Sequence, residues 1–174
     1  MIIFGEQIAL RAIEQNDCAL LLEMINDPVT ERMIGGSSFP VSKAAQEQWI
    51  SEQRSKNDIL RCIIADKTDL EKGLGTVVLS DIDFRNGSAQ IHIKLGLDCR
   101  KKGYGTDALK TIVEYAFYQL RLHCIYAYVL EYNHASQKLF QKCGFQKEGI
   151  LRARAYKNGS YFDMIAYSVI NYDL

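Results

Sequence analysis

Apolar positions along this chain switch repeatedly between a spacing of two and a spacing of three to four, and each switch marks a new element. A short run, Ile8–Ala12, reads as a first strand. Leu20, Leu21, Met24 and Ile25 follow helical spacing, with Asn16 or Asp17 as the cap and Pro28 just beyond the end. Gly35-Gly36-Ser37-Ser38-Phe39-Pro40 reads as a loop, and Ser42 caps a second helix reaching about Gln53. Arg61–Asp66 and Leu74–Ile82 alternate like paired strands around a polar turn at Thr68–Lys72. Arg85-Asn86-Gly87-Ser88 turns the chain into a strand at Ala89–Leu95. From Gly103 to Leu120 the residues Leu109, Ile112, Val113, Ala116, Phe117 and Leu120 share one helical face. A strand at Ile125–Leu130 and a helix from His134 to Cys143 follow. Two last strands, Gly149–Tyr156 and Tyr161–Ile170, are joined by Asn158-Gly159, a favoured two-residue hairpin turn. The order β-α-α-β-β-β-α-β-α-β-β predicts a single α+β domain over residues 1–174, its mixed and mostly antiparallel sheet carrying helices on both faces.

Composition narrows the function without naming it. An apolar fraction of 48% supports a packed core. Twenty-one acidic residues balance 21 basic ones, so no net field draws the chain to nucleic acid or a membrane surface. The five cysteines (Cys18, Cys62, Cys99, Cys124, Cys143) are scattered and form no Cys-x-x-Cys pair, which points to reduced thiols in a cytoplasmic protein. The three histidines have no metal-ligand spacing, so no metal site is expected. Met1-Ile2-Ile3-Phe4 is too short for a signal segment, and no stretch of eighteen apolar residues predicts a membrane span.

The densest chemical signal is Arg100-Lys101-Lys102-Gly103-Tyr104-Gly105-Thr106, between an alternating strand and the long helix. Two glycines let backbone N–H groups close on a ligand. Three cations and the positive end of a helix dipole say that the ligand is an anion, a phosphate above all. A bare strand-to-helix turn with solvated charges is the simpler reading of the same residues. Gly103-x-Gly105-x-x-Ala108 fits a dinucleotide fingerprint loosely, but Asp98–Lys102 separates it from the strand that such a fingerprint needs. No Gly-Lys-Ser or Gly-Lys-Thr is present, which excludes a Walker loop.

A basic residue, two spacers, Gly, one spacer and Gly after an antiparallel strand resembles the pyrophosphate loop of the GNAT superfamily of acetyl-CoA-dependent N-acetyltransferases. Asn133-His134-Ala135-Ser136 through Cys143-Gly144-Phe145 resembles the helix that this family sets beside the pantetheine arm. Glu148-Gly149-Ile150-Leu151-Arg152, with Tyr156-x-Asn158-Gly159-x-Tyr161-x-Asp163, resembles the branch containing ribosomal-protein N-terminal and spermidine acetyltransferases. So do Leu10-Arg11-Ala12 and Asn26-Asp27-Pro28. The resemblance implies the acyl-CoA N-acyltransferase fold and acetyl-CoA as co-substrate. It places the diphosphate on Arg100, Lys101, Lys102, Gly103, Tyr104, Gly105 and Thr106, and the pantetheine arm along Leu95, Leu97 and Asn133. A homodimer is implied as well. Asn133 also suits the N-cap of its helix, and the two roles are compatible.

Direct attack of an amine on the thioester requires a proton acceptor. Gln90, His92 and Lys94 share a strand face. Many relatives carry Glu at the position of Gln90, and Gln has no base function, so His92 is the candidate base. A structural, packed histidine is the competing role. Phe140 stands among the cofactor-contact positions where the family often has a Tyr acid, and Phe has no proton to give. Tyr104, Tyr132, Tyr156 and Tyr161 are alternative donors. Cys143 reads as packing, and no nucleophile-elbow pattern supports a cysteine mechanism. The acceptor site is expected between Asp27–Phe39 and the terminal hairpin. Glu31, Asp81, Asp83 and Asp163 are the carboxylates available to a polyamine; protein N-termini and small-molecule amines are the other acceptor classes. The missing Glu and Tyr also fit an acetyl-CoA sensor or complex subunit with little turnover.

Overall fold

Each strand of an open sheet needs a partner along its edge and a cover for its apolar face, and the described residues supply both with eight strands and five α-helices. A computed structural model describes residues 1–35, 39–52 and 58–172. The strands are β1 (Ile3–Phe4), β2 (Ile8–Arg11), β3 (Leu60–Asp66), β4 (Asp69–Asp83), β5 (Ser88–Leu95), β6 (Cys124–Leu130), β7 (Gln146–Lys157) and β8 (Ser160–Ile170). The helices are α1 (Cys18–Asn26), α2 (Pro28–Met33), α3 (Lys43–Ser51), α4 (Tyr104–Tyr118) and α5 (His134–Lys142). The strands form one sheet in the order β1-β2-β3-β4-β5-β6-β8-β7. Every neighbouring pair is antiparallel except β5 and β6, which α4 connects in parallel.

Alternation splits β3 between two cores. Cys62 and Ile64 join Val77, Leu79 and Ile91 in a cluster with Ala108, Leu109 and Ile112 of α4. Ile63 and Ala65 pack instead with Cys18, Leu21 and Met24 of α1 and Ile50 of α3. Successive strand residues point to opposite faces, so helices cover both sides of the sheet as expected.

Three local expectations need correction. Residues 28–33 form a helix rather than part of a loop. Asp27 caps it, its carboxylate accepting from Val29 N at 3.2 Å and Thr30 N at 2.8 Å. Pro28 takes the first helical position, where its missing N–H costs nothing and its fixed φ is already helical. Asp17 sits at the N-terminus of α1 without capping it. Its buried carboxylate takes two 2.8 Å hydrogen bonds from the Arg11 guanidinium and one from Glu14 N, tying β2 to the start of the helix. The apolar run at the start also contributes a strand, Ile3–Phe4, that the periodicity missed because it is only two residues long. Helix α3 begins where Ser42 accepts from Ala45 N at 3.2 Å. The expected end of that helix at Gln53 and residues 36–38 of the loop lie outside the described residues. No helix among the described residues is long and apolar enough to cross a membrane.

Candidate functional site

The parallel pairing of β5 and β6 runs for three rungs only, Ser88↔Cys124, Ala89↔Ile125 and Gln90↔Tyr126. Beyond Gln90 the strands part, so Ile91–Leu95 keep β4 on one edge and have an open edge on the other. An open strand edge presents unpaired N–H and C=O groups to an extended amide-bearing ligand. A sharp turn follows β5. Leu97–Cys99 form a 3-10 turn, and Lys101 (φ 61°) and Gly103 (φ 90°) then take left-handed conformations before α4 begins.

Gly103 occupies the N-cap of α4 and carries no side chain to cap it. The first-turn amides of a helix have no intrahelical partner, so they face outward as anion donors. Gly105 is buried, and a Cβ there would stand 3.3 Å from Leu95 Cδ1 and 3.5 Å from Leu139 Cδ2. A left-handed φ at Gly103 and close side chains around Gly105 favour glycine at both positions, leaving a cradle that suits a diphosphate. Lys101 and Lys102 are exposed beside it. Arg100 is directed elsewhere: its Nε donates to Leu95 O at 3.2 Å and its Nη2 to Thr30 Oγ1 at 2.7 Å. Thr30 Oγ1 in turn donates to Asp27, so Arg100 ties the loop to the cap of α2. Leu95 is half-buried, and Leu97 is exposed.

Sequence reasoning missed Asp107. From the first turn of α4 its carboxylate accepts from Glu6 N at 3.0 Å, Gln7 N at 2.6 Å and Ile8 N at 3.0 Å. This fixes the β1–β2 turn against the helix that carries the anion cradle. A Cβ on Gly5 would approach Asp107 Oδ1 to 2.6 Å, which is why the turn is tight there.

Asn133 is a cap: its Oδ1 accepts from Ser136 N at 3.1 Å and its Nδ2 donates to Met33 O at 2.9 Å. Phe140 lies in the α4-side core, edge-on to Phe145 at 5.0 Å and stacked on Tyr167 at 6.3 Å. Among the alternative proton donors, Tyr132 spends its hydroxyl on Arg32 O at 2.6 Å. Tyr156 and Tyr161 pack on each other at the exposed end of the β7–β8 hairpin. Tyr126 was not foreseen. It pairs with Gln90 at the last rung before the fork, and burial, reinforced by Asp81, raises its pKa and keeps its hydroxyl protonated.

A cavity of about 340 Å³ lies between the sheet and helices α1 and α3. Helix residues Leu21, Met24, Ile25 and Trp49 give it an apolar wall. The sheet wall is polar and comes from two ladder rungs: Arg61, Val78 and His92 in one, Thr76 and Lys94 in the next, with Ser80 beside them. The sequence places the acceptor site between residues 27–39 and the terminal hairpin, of which residues 36–38 lie outside the described residues. Among the described residues, direct bonds tie the end of α2 to neighbouring elements. Buried Lys157 of β7 donates to Glu31 Oε1 at 2.5 Å and to Glu31 O at 3.0 Å, and Tyr132 and Asn133 hold the end of α2.

His92 is exposed at the cavity wall, and its Nε2 lies 3.0 Å from Ser80 Oγ. Ser80 Oγ donates to Asp81 Oδ2 at 3.2 Å. Ser80 has one proton for Asp81 or for His92 Nε2, so the ring's tautomer sets the direction of the Ser80–His92 bond. Desolvation of the ring lowers the His92 pKa below 6.5; the Lys94 charge lowers it further, and Asp81 opposes both. Burial also lowers the pKa of Lys94. Cys62, on the cavity lining, has its thiol pushed up to about 11 by burial, so it is no nucleophile at neutral pH. Cys143 is likewise raised by burial, and its Sγ contacts Thr106 O at 3.8 Å. No group of three His, Cys, Asp or Glu side chains among the described residues has the arrangement of a metal site.

The same architecture recurs in known proteins. Spermidine N-acetyltransferase from Vibrio cholerae, solved in complex with CoA and spermine, superposes with a TM-score of 0.86 at 25% identity, covering 95% of this chain and 96% of that one. The uncharacterized N-acetyltransferase p20 of Bacillus licheniformis is 30% identical over 171 residues, 97% of this chain and 95% of the relative. Spermidine N(1)-acetyltransferase of Vibrio cholerae is 28% identical over 92% of this chain and 91% of its own length. The family description "Acetyltransferase (GNAT) domain" matches residues 7–146, which take in the fork, the glycine cradle and the cavity wall alike. The chain therefore belongs to the GNAT acetyltransferase family.

Proposed function

We propose that this enzyme moves the acetyl group of acetyl-CoA directly onto a primary amine seated in the cavity, with His92 as the proton acceptor. One observation carries the reading: β5 borders both the fork and the cavity. Its open edge beyond Gln90 lies at the fork that leads to the glycine cradle, while its His92 and Lys94 side chains form the cavity wall. Bound acetyl-CoA supplies an activated acetyl thioester. The chain's residues hold it: first-turn amides of α4 and the Lys101 and Lys102 side chains at the diphosphate, and the β5 edge near Leu95 and Leu97 along the pantetheine arm.

The cavity wall works on the amine. An ammonium beside Arg61 and Lys94 is disfavoured by like charges, so the neutral, nucleophilic amine is the better occupant. His92, with its pKa held below 6.5, is itself neutral near pH 7 and accepts the proton released on attack. Phe140 offers no proton. Tyr126 is a protonated hydroxyl near the fork. Proximity alone supplies much of the rate in such a transfer, so the loss of one acid is tolerable. The resemblance further supports a cytoplasmic homodimer, and sedimentation as a single 19.8 kDa species would remove the dimer.

The experiment is release of free CoA thiol from acetyl-CoA across a panel of spermidine, amino acids, amino sugars and short peptides with free N-termini. Release that requires an amine is the expected result. Acetyl-CoA binding without release for any amine would overturn the reading in favour of a sensor.

A further inference from the structure

The cavity that receives the amine is basic. Arg61, His92 and Lys94 line it together with the neutral Gln46, Thr76 and Ser80, and no Asp or Glu lines it among the described residues. The carboxylates that a polyamine would need are committed elsewhere. Glu31 pairs with Lys157, Asp83 accepts from the Arg85 and Asn86 amides, and Asp163 accepts from Ala153 N. Asp81 accepts from Ser80 and is not part of the lining.

Two of the cations are held ready without being neutralised. The Arg61 guanidinium rests over the Trp49 ring at 5.9 Å, and neither Arg61 nor Lys94 forms an ion pair among the described residues. Burial disfavours the Lys94 charge in the absence of an anion. Arg61, Val78 and His92 share one rung, so Arg61 and His92 stand about 10 Å apart at the backbone; Lys94 is about 7 Å from His92 along β5. One small molecule can therefore set an amine at His92 and an anionic group against Arg61 or Lys94. The facing wall of Leu21, Met24 and Ile25 adds a place for an apolar body.

We propose that the acceptor is an amine bearing its own oxyanion, of the apolar amino acid or aminophosphonate class, and that Arg61 and Lys94 bind that oxyanion. The proposal rests on the acetyl-transfer reading for the fate of the amine, and it separates this chain from a polyamine enzyme. Spermidine carries positive charge only, and this wall repels it.

Trp49 is the single tryptophan of the chain and lines the cavity, so its fluorescence reports occupancy whether or not turnover follows. The test titrates the CoA-bound protein with L-leucine, L-methionine and L-phenylalanine, with the corresponding amides, with the aminophosphonate analogue of leucine, and with spermidine. The expected result is a saturable change with at least one carboxylate or phosphonate, at least tenfold tighter than with its matched amide or with spermidine. Comparing carboxylate with phosphonate tells which oxyanion the site prefers. In the Arg61→Gln/Lys94→Gln variant that preference should disappear, the carboxylate or phosphonate binding no more tightly than its matched amide. Spermidine or the amides binding as tightly, or no saturable change with any oxyanion, overturns the proposal. Thiol release read on the same samples separates the two claims. Spermidine-dependent release without oxyanion preference leaves acetyl transfer standing and removes the oxyanion site. Selective binding without release from any amine does the reverse.

Discussion

The two faces of the sheet are built from the same alternating strands and end in opposite states. On the α4 side Val77, Leu79, Ile91 and Ile64 are almost wholly buried and cluster with helix residues. On the α1–α3 side the intervening residues Thr76, Val78, Ser80, His92 and Lys94 face a cavity, although helices cover that side too. Polar residues on a covered sheet face cannot fill a dry core without a large desolvation penalty. The helices stand off from them, and the space left over has a polar wall opposite an apolar one. One face fixes the strands that lead to the glycine cradle; the other lines the cavity proposed for the acceptor.

The strongest way to break the cofactor half is Gly103→Val. A β-branched side chain at φ 90° is strained, and it would crowd the amides that face the diphosphate. Acetyl-CoA affinity by calorimetry should fall at least about 100-fold, the combined loss of the αL turn and of the helix-terminus donors. Binding that survives the change would remove the cradle from the account.

Adjacent valines sharpen the comparison of faces, since Val77 and Val78 differ only in the side they address. Val77→Ala should cost about 2 kcal/mol in denaturant unfolding, because it opens a void in a packed core. Val78→Ala merely widens an existing cavity and should cost about 1 kcal/mol or less. Equal costs would mean that the cavity side is as tightly packed as the other.

The smallest effect is a displacement of the pH profile. With His92 as base, kcat/KM should rise with pH and reach half its plateau below pH 6.5, where the lowered pKa places the loss of the imidazolium proton. Lys94→Met removes a cation that lowers this pKa, so the limb should move to higher pH; Asp81→Asn removes an anion that raises it, so the limb should move lower. The stability sign is the same. A lowered histidine pKa means that the unfolded chain binds the proton more readily, so the His92 contribution is lost as pH falls through 6.5. An unmoved limb in both variants would take His92 out of the proton path.

Much of this was legible in the sequence, for reasons that residues make plain. Long periodic segments such as 103–120 and the Asn158-Gly159 hairpin were readable because their signals are local. The glycine cradle was too, since left-handed turns and close approaches demand glycine. Helix α2 was hidden because Pro28 marks an end as readily as a beginning, and only the bonds from Val29 and Thr30 to Asp27 decide which. Asp107 and Arg61 were invisible for another reason. Their roles depend on partners about 100 residues away or on a neighbouring strand's register, which no local spacing reports. The cavity's sheet wall had one further signal, Thr76 and Ser80 on the strand beside the polar face that His92 and Lys94 share.

The division of labour across β5 is tested most directly by His92→Ala, with kcat and the acetyl-CoA dissociation constant measured on the same preparation. With His92 as base, kcat at neutral pH falls about 100-fold, the ordinary contribution of a positioned general base, while acetyl-CoA binds as tightly as to the unaltered chain. Unchanged turnover, or a parallel loss of acetyl-CoA affinity, would contradict that division.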